Sequence, residues 1–343
     1  MAVLRALLSG PVLLIALLAS VLSQRPAAWP DPSPHSVRFV AVDGDVRLEV
    51  LDWGGSGRPV ILLAGGGNTA HVFDEFAPKL TSYCHVYGIT RRGFGASGFS
   101  VPAHPVERLR DDVLAVIDAL HIDRAVLVGH SIAGAELSAV ASSAPDRVAG
   151  LVYLEAAYPY AFNNGAGPTM EEFQQGGGPR PPTPAASNLA SFRSLQQWDA
   201  DVYGVRRPEA EFRQTWDSSS DGRPTKPRAF PGAQMFMAIM TSGRRYAVIP
   251  VPALVIFAIP HLQESWINKT PDPAVRQASQ AYLTAVDAAT ERQAKALEGG
   301  VPTARVVRLQ GAHYIFLSHE RDVMREMGAF LASLKPSSGA TRD

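Results

Sequence analysis

The run Val126-Leu127-Val128-Gly129-His130-Ser131-Ile132-Ala133-Gly134 constrains this chain more than any other feature. A β-branched, aliphatic stretch stops abruptly at a small residue. A serine follows among further small residues, and then helix formers take over. That order describes a strand turning at once into a helix. The turn is so tight that bulky neighbours are excluded and the serine side chain is thrust outward. Ser131 is therefore a candidate nucleophile. The pattern departs from Gly-x-Ser-x-Gly, because Ala133 holds the second glycine position and Gly134 comes one residue later. Alanine is small enough to keep the turn. The match is short, and its weight comes from the strand before it and the helix after it.

The rest of the chain supplies more of the same alternation. Val37–Val42 and Val46–Asp52 alternate apolar and polar residues around Asp43-Gly44, which reads as a hairpin. Val60–Ala64, His85–Thr90, Ala125–Val128, Leu151–Leu154 and Ala253–Ala258 are continuous apolar runs, as expected of strands buried on both faces. Val106, Leu109, Val113, Val116, Ile117 and Leu120 lie on one stripe of a helix. An opening hairpin followed by alternating strands and helices implies a mostly parallel sheet covered on both sides. The alternation breaks at Tyr158 and resumes near Val251. Residues 158–245 read as an insertion between the sixth and seventh strands. It is rich in glycine and proline at first, then contains helical fragments carrying Phe192, Trp198, Tyr203, Phe212, Trp216, Phe230 and Phe236. That aromatic content argues for a folded helical cap over the site rather than a disordered excursion. Residues 37–157 and 246–335 would form the core.

The two ends differ in kind. Arg5 precedes an apolar run from Ala6 to Leu22, which reads as a secretory signal over residues 1–23 or as an uncleaved anchor. Either places the folded part outside the cytoplasm, secreted or periplasmic, with a membrane tether as the variant. Residues 24–36, with four prolines, read as a flexible leader, and residues 336–343 as a flexible tail. Lys plus Arg and Asp plus Glu both number 32, so no field draws the chain to nucleic acid. The single cysteine, Cys84, excludes an internal disulfide and any site built from several thiolates.

Several segments together resemble the α/β-hydrolase family. Strand Val60–Ala64 leads into Gly65-Gly66-Gly67-Asn68, where that family has His-Gly or His-Gly-Gly, with Ala64 at the histidine position. Strand His85–Thr90 leads into Arg92-Gly93-Phe94-Gly95-Ala96-Ser97, similar to the family's Arg-Gly-x-Gly-x-Ser turn, with Thr90 in place of the usual aspartate. The resemblance spans Val37 to the C-terminus, apart from the insertion. It implies the α/β-hydrolase fold and a serine-centred triad.

A serine hydroxyl needs a base. The family places a histidine after the last strand, here Val306–Leu309, and Gly311-Ala312-His313-Tyr314 follows it. His313 is the favoured base. His319 reads instead as the start of the final helix, and His130 as a residue of the turn. His71, His85, His104, His121 and His261 have no comparable setting. The third member should be a carboxylate that orients the imidazole. The commonest location, after strand Ala253–Ala258, reads Ile259-Pro260-His261-Leu262-Gln263-Glu264, with no acid at the strand end. One strand earlier, Leu151–Leu154 closes on Glu155. Glu155 is favoured, with Glu264 as the alternative acid. The resemblance assigns the oxyanion donors to the backbone N–H groups of Ile132 and Gly66. It implies no metal or organic cofactor. The expected activity is hydrolysis of a small-molecule substrate, an apolar carboxylic ester, through an acyl-enzyme on Ser131. Peptidase, thioesterase, lactonase and cofactor-free peroxidase activities use the same triad, and a non-catalytic binding protein could keep the same fold.

Overall fold

A computed structural model describes residues 29–174, 177–242 and 246–335. The apolar run 1–23, the beginning of the leader and the tail 336–343 lie outside the described residues.

Eight strands form one sheet: β1 (Ser36–Asp43), β2 (Val46–Gly54), β3 (Pro59–Leu63), β4 (His85–Ile89), β5 (Ala125–His130), β6 (Val148–Leu154), β7 (Ala253–His261) and β8 (Ala304–Gly311). Their spatial order is β1-β2-β4-β3-β5-β6-β7-β8. β1 and β2 are antiparallel to each other and β2 is antiparallel to β4, while every pair from β4 through β8 is parallel. Each apolar run read above as a doubly buried strand became one, because a parallel strand covered on both sides must be apolar at every position. β3 shows the consequence: Ile61 and Leu63 point into one core, Val60 and Leu62 into the other.

The first core lies under helices α1 (Pro105–Ala119) and α2 (Ala133–Ser143). The second lies under the turn Ala70–Phe73, the short helix Ala77–Leu80 and, after β8, the helix Glu320–Ser333. His319 stands at the start of that last helix, as the sequence suggests. Cys84 is a buried hydrophobe whose thiol is pushed up to about 12 by burial.

Between β6 and β7 the chain leaves the sheet. It builds helices α3 (Phe192–Tyr203), α4 (Glu209–Thr215) and α5 (Ala233–Thr241), with a small hairpin of Trp216–Ser218 and Pro224–Pro227. Phe192, Leu195 and Phe212 form a core of their own, with Trp198 and Trp216 against it. After β7 comes the longest helix, α6 (Pro273–Gly300), opened by the Asp272 side chain accepting from Ala274 N–H.

The leader differs from expectation over residues 29–36. Its prolines suggest a linker, yet Trp29 stacks on the Arg213 guanidinium with 4.4 Å to the ring centroid, and His35 bonds to Asp74 at 2.9 Å. An aromatic and an imidazole with partners outweigh proline content. No helix of the described residues is long and apolar enough to cross a membrane.

Candidate active site

Ser131 sits at the tip of β5 with φ of +54°, a left-handed conformation that costs a non-glycine residue about 1–3 kcal/mol. The surroundings hold it there. Its N–H donates to Leu154 O on β6 at 3.2 Å, and its carbonyl accepts from Gly134 N–H at 3.0 Å. The need for small neighbours is steric. A Cβ on Gly129 would lie 2.7 Å from Leu137 Cδ1, and one on Gly134 would lie 1.9 Å from Ala156 O. The loop leaving β6 presses on position 134, so the glycine stands there, while alanine suffices at 133.

Three residues distant in sequence meet at this tip. His313 Nε2 lies 3.0 Å from Ser131 Oγ, and His313 Nδ1 lies 3.3 Å from Glu155 Oε2. Glu155 follows β6 in a left-handed conformation of its own, φ +51°, and is wholly buried. Its carboxylate also accepts from Ala258 N–H and from the Tyr158 hydroxyl. Glu264, the alternative acid, stays outside this array. It precedes the short helix Ser265–Lys269 and accepts from Trp266 Nε1 at 2.7 Å. Lying in the loop beyond β7, it is spent on that local contact, whereas Glu155 meets His313 directly.

The sequence reading missed His261, which does have a comparable setting. Its Nε2 lies 3.2 Å from Glu155 Oε2 and its Nδ1 2.6 Å from Asp287 Oδ1 on α6. One carboxylate oxygen thus faces two histidines. Burial favours the neutral form of Glu155, but the hydrogen bonds and charges of His261 and His313 outweigh it and pull the acid down to about 2. Burial likewise opposes a charged His261. The Glu155 bond and charge, then those of Asp287, overcome it and raise the imidazole to about 9. His261 is therefore a cation at neutral pH. Tyr160, missed as well, lies buried close to the Ser131 side chain. Both tyrosines of the Tyr158-Pro159-Tyr160 segment follow the acid closely, which was the available signal. His130 lies fully buried under His313, its Nε2 on the His313 carbonyl at 3.0 Å, and burial pushes it down to about 3.

The glycine loop runs alongside. A Cβ on Gly65 would lie 3.2 Å from Ser131 Cβ, and one on Gly66 3.7 Å from Ile132 Cγ2. These contacts set Gly66 next to Ile132, the pair assigned above to the oxyanion. Arg91, buried, donates to Ala64 O at 2.8 Å from below and pairs with Glu136. From above, the insertion grips the loop. Buried Glu211 on α4 accepts from Asn68 Nδ2 at 2.9 Å and from the Thr69 N–H and hydroxyl. Asn68 Oδ1 accepts from Tyr314, the neighbour of His313, at 3.0 Å. Phe236 on α5 closes over Gly66, where a Cβ would lie 2.8 Å from its ring. A cavity of about 430 Å³ opens beside His313, lined chiefly by aromatic and aliphatic side chains including Phe173, Tyr203, Ile267, Tyr282 and Leu283. Among the described residues, Asp31, His35, His71 and Asp74 have metal-ligand spacing, and they share no member with the array.

The strand order, the sharp turn at Ser131 and the His313 contact agree with a family match covering residues 60–326, described as the alpha/beta hydrolase family. This chain belongs to that family. A pyrethroid hydrolase of Sphingobium wenxiniae is 32% identical over 186 residues, 48% of this chain and 63% of the relative. A bifunctional esterase/perhydrolase of Acinetobacter calcoaceticus is 28% identical over 183 residues, 50% of this chain and 63% of that relative. Other curated relatives are matched over less, down to 30% of their length. Among solved structures, an E-2-(acetamidomethylene)succinate hydrolase superposes with a TM-score of 0.57 at 16% identity, covering 87% of this chain and all 100% of the other. At that identity the likeness speaks to the α/β-hydrolase fold.

Proposed function

We propose that this alpha/beta hydrolase cleaves carboxylic esters through an acyl-enzyme on Ser131. The observation that carries the reading is the unbroken contact from Ser131 Oγ through His313 to Glu155, at 3.0 and 3.3 Å. His313 Nε2 takes the hydroxyl proton as Oγ attacks the ester carbonyl. Glu155 holds the proton on Nδ1 and stabilises the imidazolium that forms. The developing oxyanion turns toward the N–H groups of Ile132 and Gly66. His313 then protonates the departing alkoxide, and water enters by the reverse sequence to release the acid. The cavity beside His313 is lined mainly by aromatic and aliphatic side chains, with His261 and Glu264 the charged exceptions, and that lining favours an apolar ester. The insertion acts as the cap, since Phe236 and Glu211 bear directly on the glycine loop. The apolar run before residue 24 supports export or a membrane tether.

The test is the intact mass of the purified protein after exposure to a fluorophosphonate. One adduct, absent in Ser131→Ala, is the expected outcome. No adduct in the folded native protein would overturn the assignment. The same spectrum reports whether the N-terminal segment has been removed.

A further inference from the structure

A second polar cluster lies outside the chemistry above. It joins the segment before β1 to the turn after the glycine loop. His71 Nδ1 lies 3.0 Å from Asp74 Oδ2 and 3.5 Å from Asp31 Oδ2. His35 Nδ1 lies 2.9 Å from Asp74 Oδ1, and His35 Nε2 lies 3.9 Å from Asp31 Oδ2. One donor atom from each of the four residues lies within 4.8 Å of every other. The side chains of His35, His71 and Asp74 are 3%, 3% and 1% exposed, while Asp31, at 28%, forms the rim.

Hydrogen bonds alone leave this cluster poorly satisfied. His71 Nδ1 carries at most one proton, yet it faces carboxylates of both Asp31 and Asp74. Its other nitrogen, Nε2, is buried and finds only Glu49 Oε1 at 3.6 Å, beyond hydrogen-bond length. Three carboxylates thus converge on two imidazoles in a mostly buried place, an arrangement that a dication would neutralise. The outer partners are those a metal site needs. With Nδ1 on a metal, His71 would carry its proton on Nε2, facing Glu49. Trp53 Nε1 already donates to Asp74 Oδ1 at 3.1 Å, orienting that carboxylate.

We propose that Asp31, His35, His71 and Asp74 form a structural zinc site that staples the segment before β1 to the turn Ala70–Phe73. Two imidazoles and two carboxylates suit zinc, whose bonds of about 2.0–2.2 Å put tetrahedral ligand atoms about 3.3–3.5 Å apart. The His71–Asp31 contact at 3.5 Å matches that spacing, the His71–Asp74 contact at 3.0 Å opens by a few tenths of an ångström on binding, and pairs up to 4.8 Å apart close by about an ångström or slightly more. Four protein ligands leave no open position, so the ion would hold structure rather than activate water. The family resemblance assigned no metal to the reaction, and this site stands apart from Ser131.

The test is a zinc titration of the purified, chelator-stripped full chain against a chromophoric competitor, with thermal unfolding alongside. One equivalent should bind and raise Tm. His35→Asn and His71→Asn should weaken binding by 100-fold or more, and Glu49→Gln by about 10–100-fold. The exposed His104→Asn should change nothing. Because buried variants can misfold, Asp31→Asn at the rim supplies an independent check, and it too should weaken binding and erase the Tm rise. No stoichiometric binding by the folded native chain, or equal binding by His35→Asn and Asp31→Asn, would overturn the site and leave a histidine–carboxylate ion-pair cluster.

Discussion

His261→Gln tests how the two histidines share one carboxylate. In the native protein both ring nitrogens lie within 3.3 Å of Glu155 Oε2. They are therefore less than about 7 Å apart, and a charge on one acts on the other through about 332/(εr) kcal/mol. With ε between about 20 and 80, the repulsion is about 0.6 to 2.6 kcal/mol. His313 is 46% exposed, so solvent screening pulls the figure to about 1 kcal/mol, or about 0.7 of a pH unit. Glutamine keeps a donor for Glu155 and removes the charge. With that positive charge gone from beside the Ser131–Glu155 array, the acid limb of kcat/KM must move to higher pH. The sign follows from His261 being raised to about 9: its charge is present at neutral pH and is lost only as pH climbs through that value. The limb should move up by about 0.5–1 unit with a chromogenic 4-nitrophenyl ester, and the native and variant profiles should converge above about pH 9. An unmoved limb, or one moved down, with kcat at pH 8 intact would refute the reasoning.

Other perturbations read other parts of the site. Ser131→Ala should cut ester turnover by a factor on the order of 10⁴ or more while leaving the urea midpoint within error of native, as judged by initial rates and circular dichroism. Gly134→Ala drives a Cβ to 1.9 Å from a backbone carbonyl, so unfolding in urea should show a loss of about 3 kcal/mol or more. Glu211→Gln weakens the hold on Asn68 and Thr69. It should lower kcat by about 10-fold with a smaller change in KM, and a pure KM effect would count against the loop's role at the oxyanion. Glu155 is held at about 2 when folded against an ordinary 4.5, so its stabilisation is complete above about pH 4.5 and drains as pH falls toward 2. Urea unfolding between pH 6 and 3 should lose about 2 kcal/mol that Glu155→Gln does not lose.

Sequence pattern revealed the sheet because its strands are buried on both faces. Val60–Leu63 and Val126–Val128 can be nothing else when every position meets a core. The tip residues Ser131 and Glu155 were visible for a related reason: each interrupts an apolar strand at the same edge of the sheet, and each adopts a left-handed φ there. What stayed hidden was contact between elements without a shared period. Glu211 lies 142 residues from Thr69, in an insertion whose helices follow no strand rhythm. The long reach from Tyr314 to Asn68 is equally silent in either local sequence.

His261 is the most instructive omission. It stands at the end of β7, where relatives of this fold commonly carry the triad acid. Here Glu155, the acid proposed above, stands one strand inward, and the end of β7 holds an imidazole that turns back to touch its carboxylate. The substitution looks like a loss when read along the chain, since a basic residue replaces an acidic one. In space it adds a cation to the acid, anchored from behind by Asp287 on α6. Glu155 thereby remains ionised although wholly buried, which an isolated carboxylate there could not do. Beyond His313, the partner that keeps this buried carboxylate charged comes from the end of the neighbouring strand, where His261 closes β7.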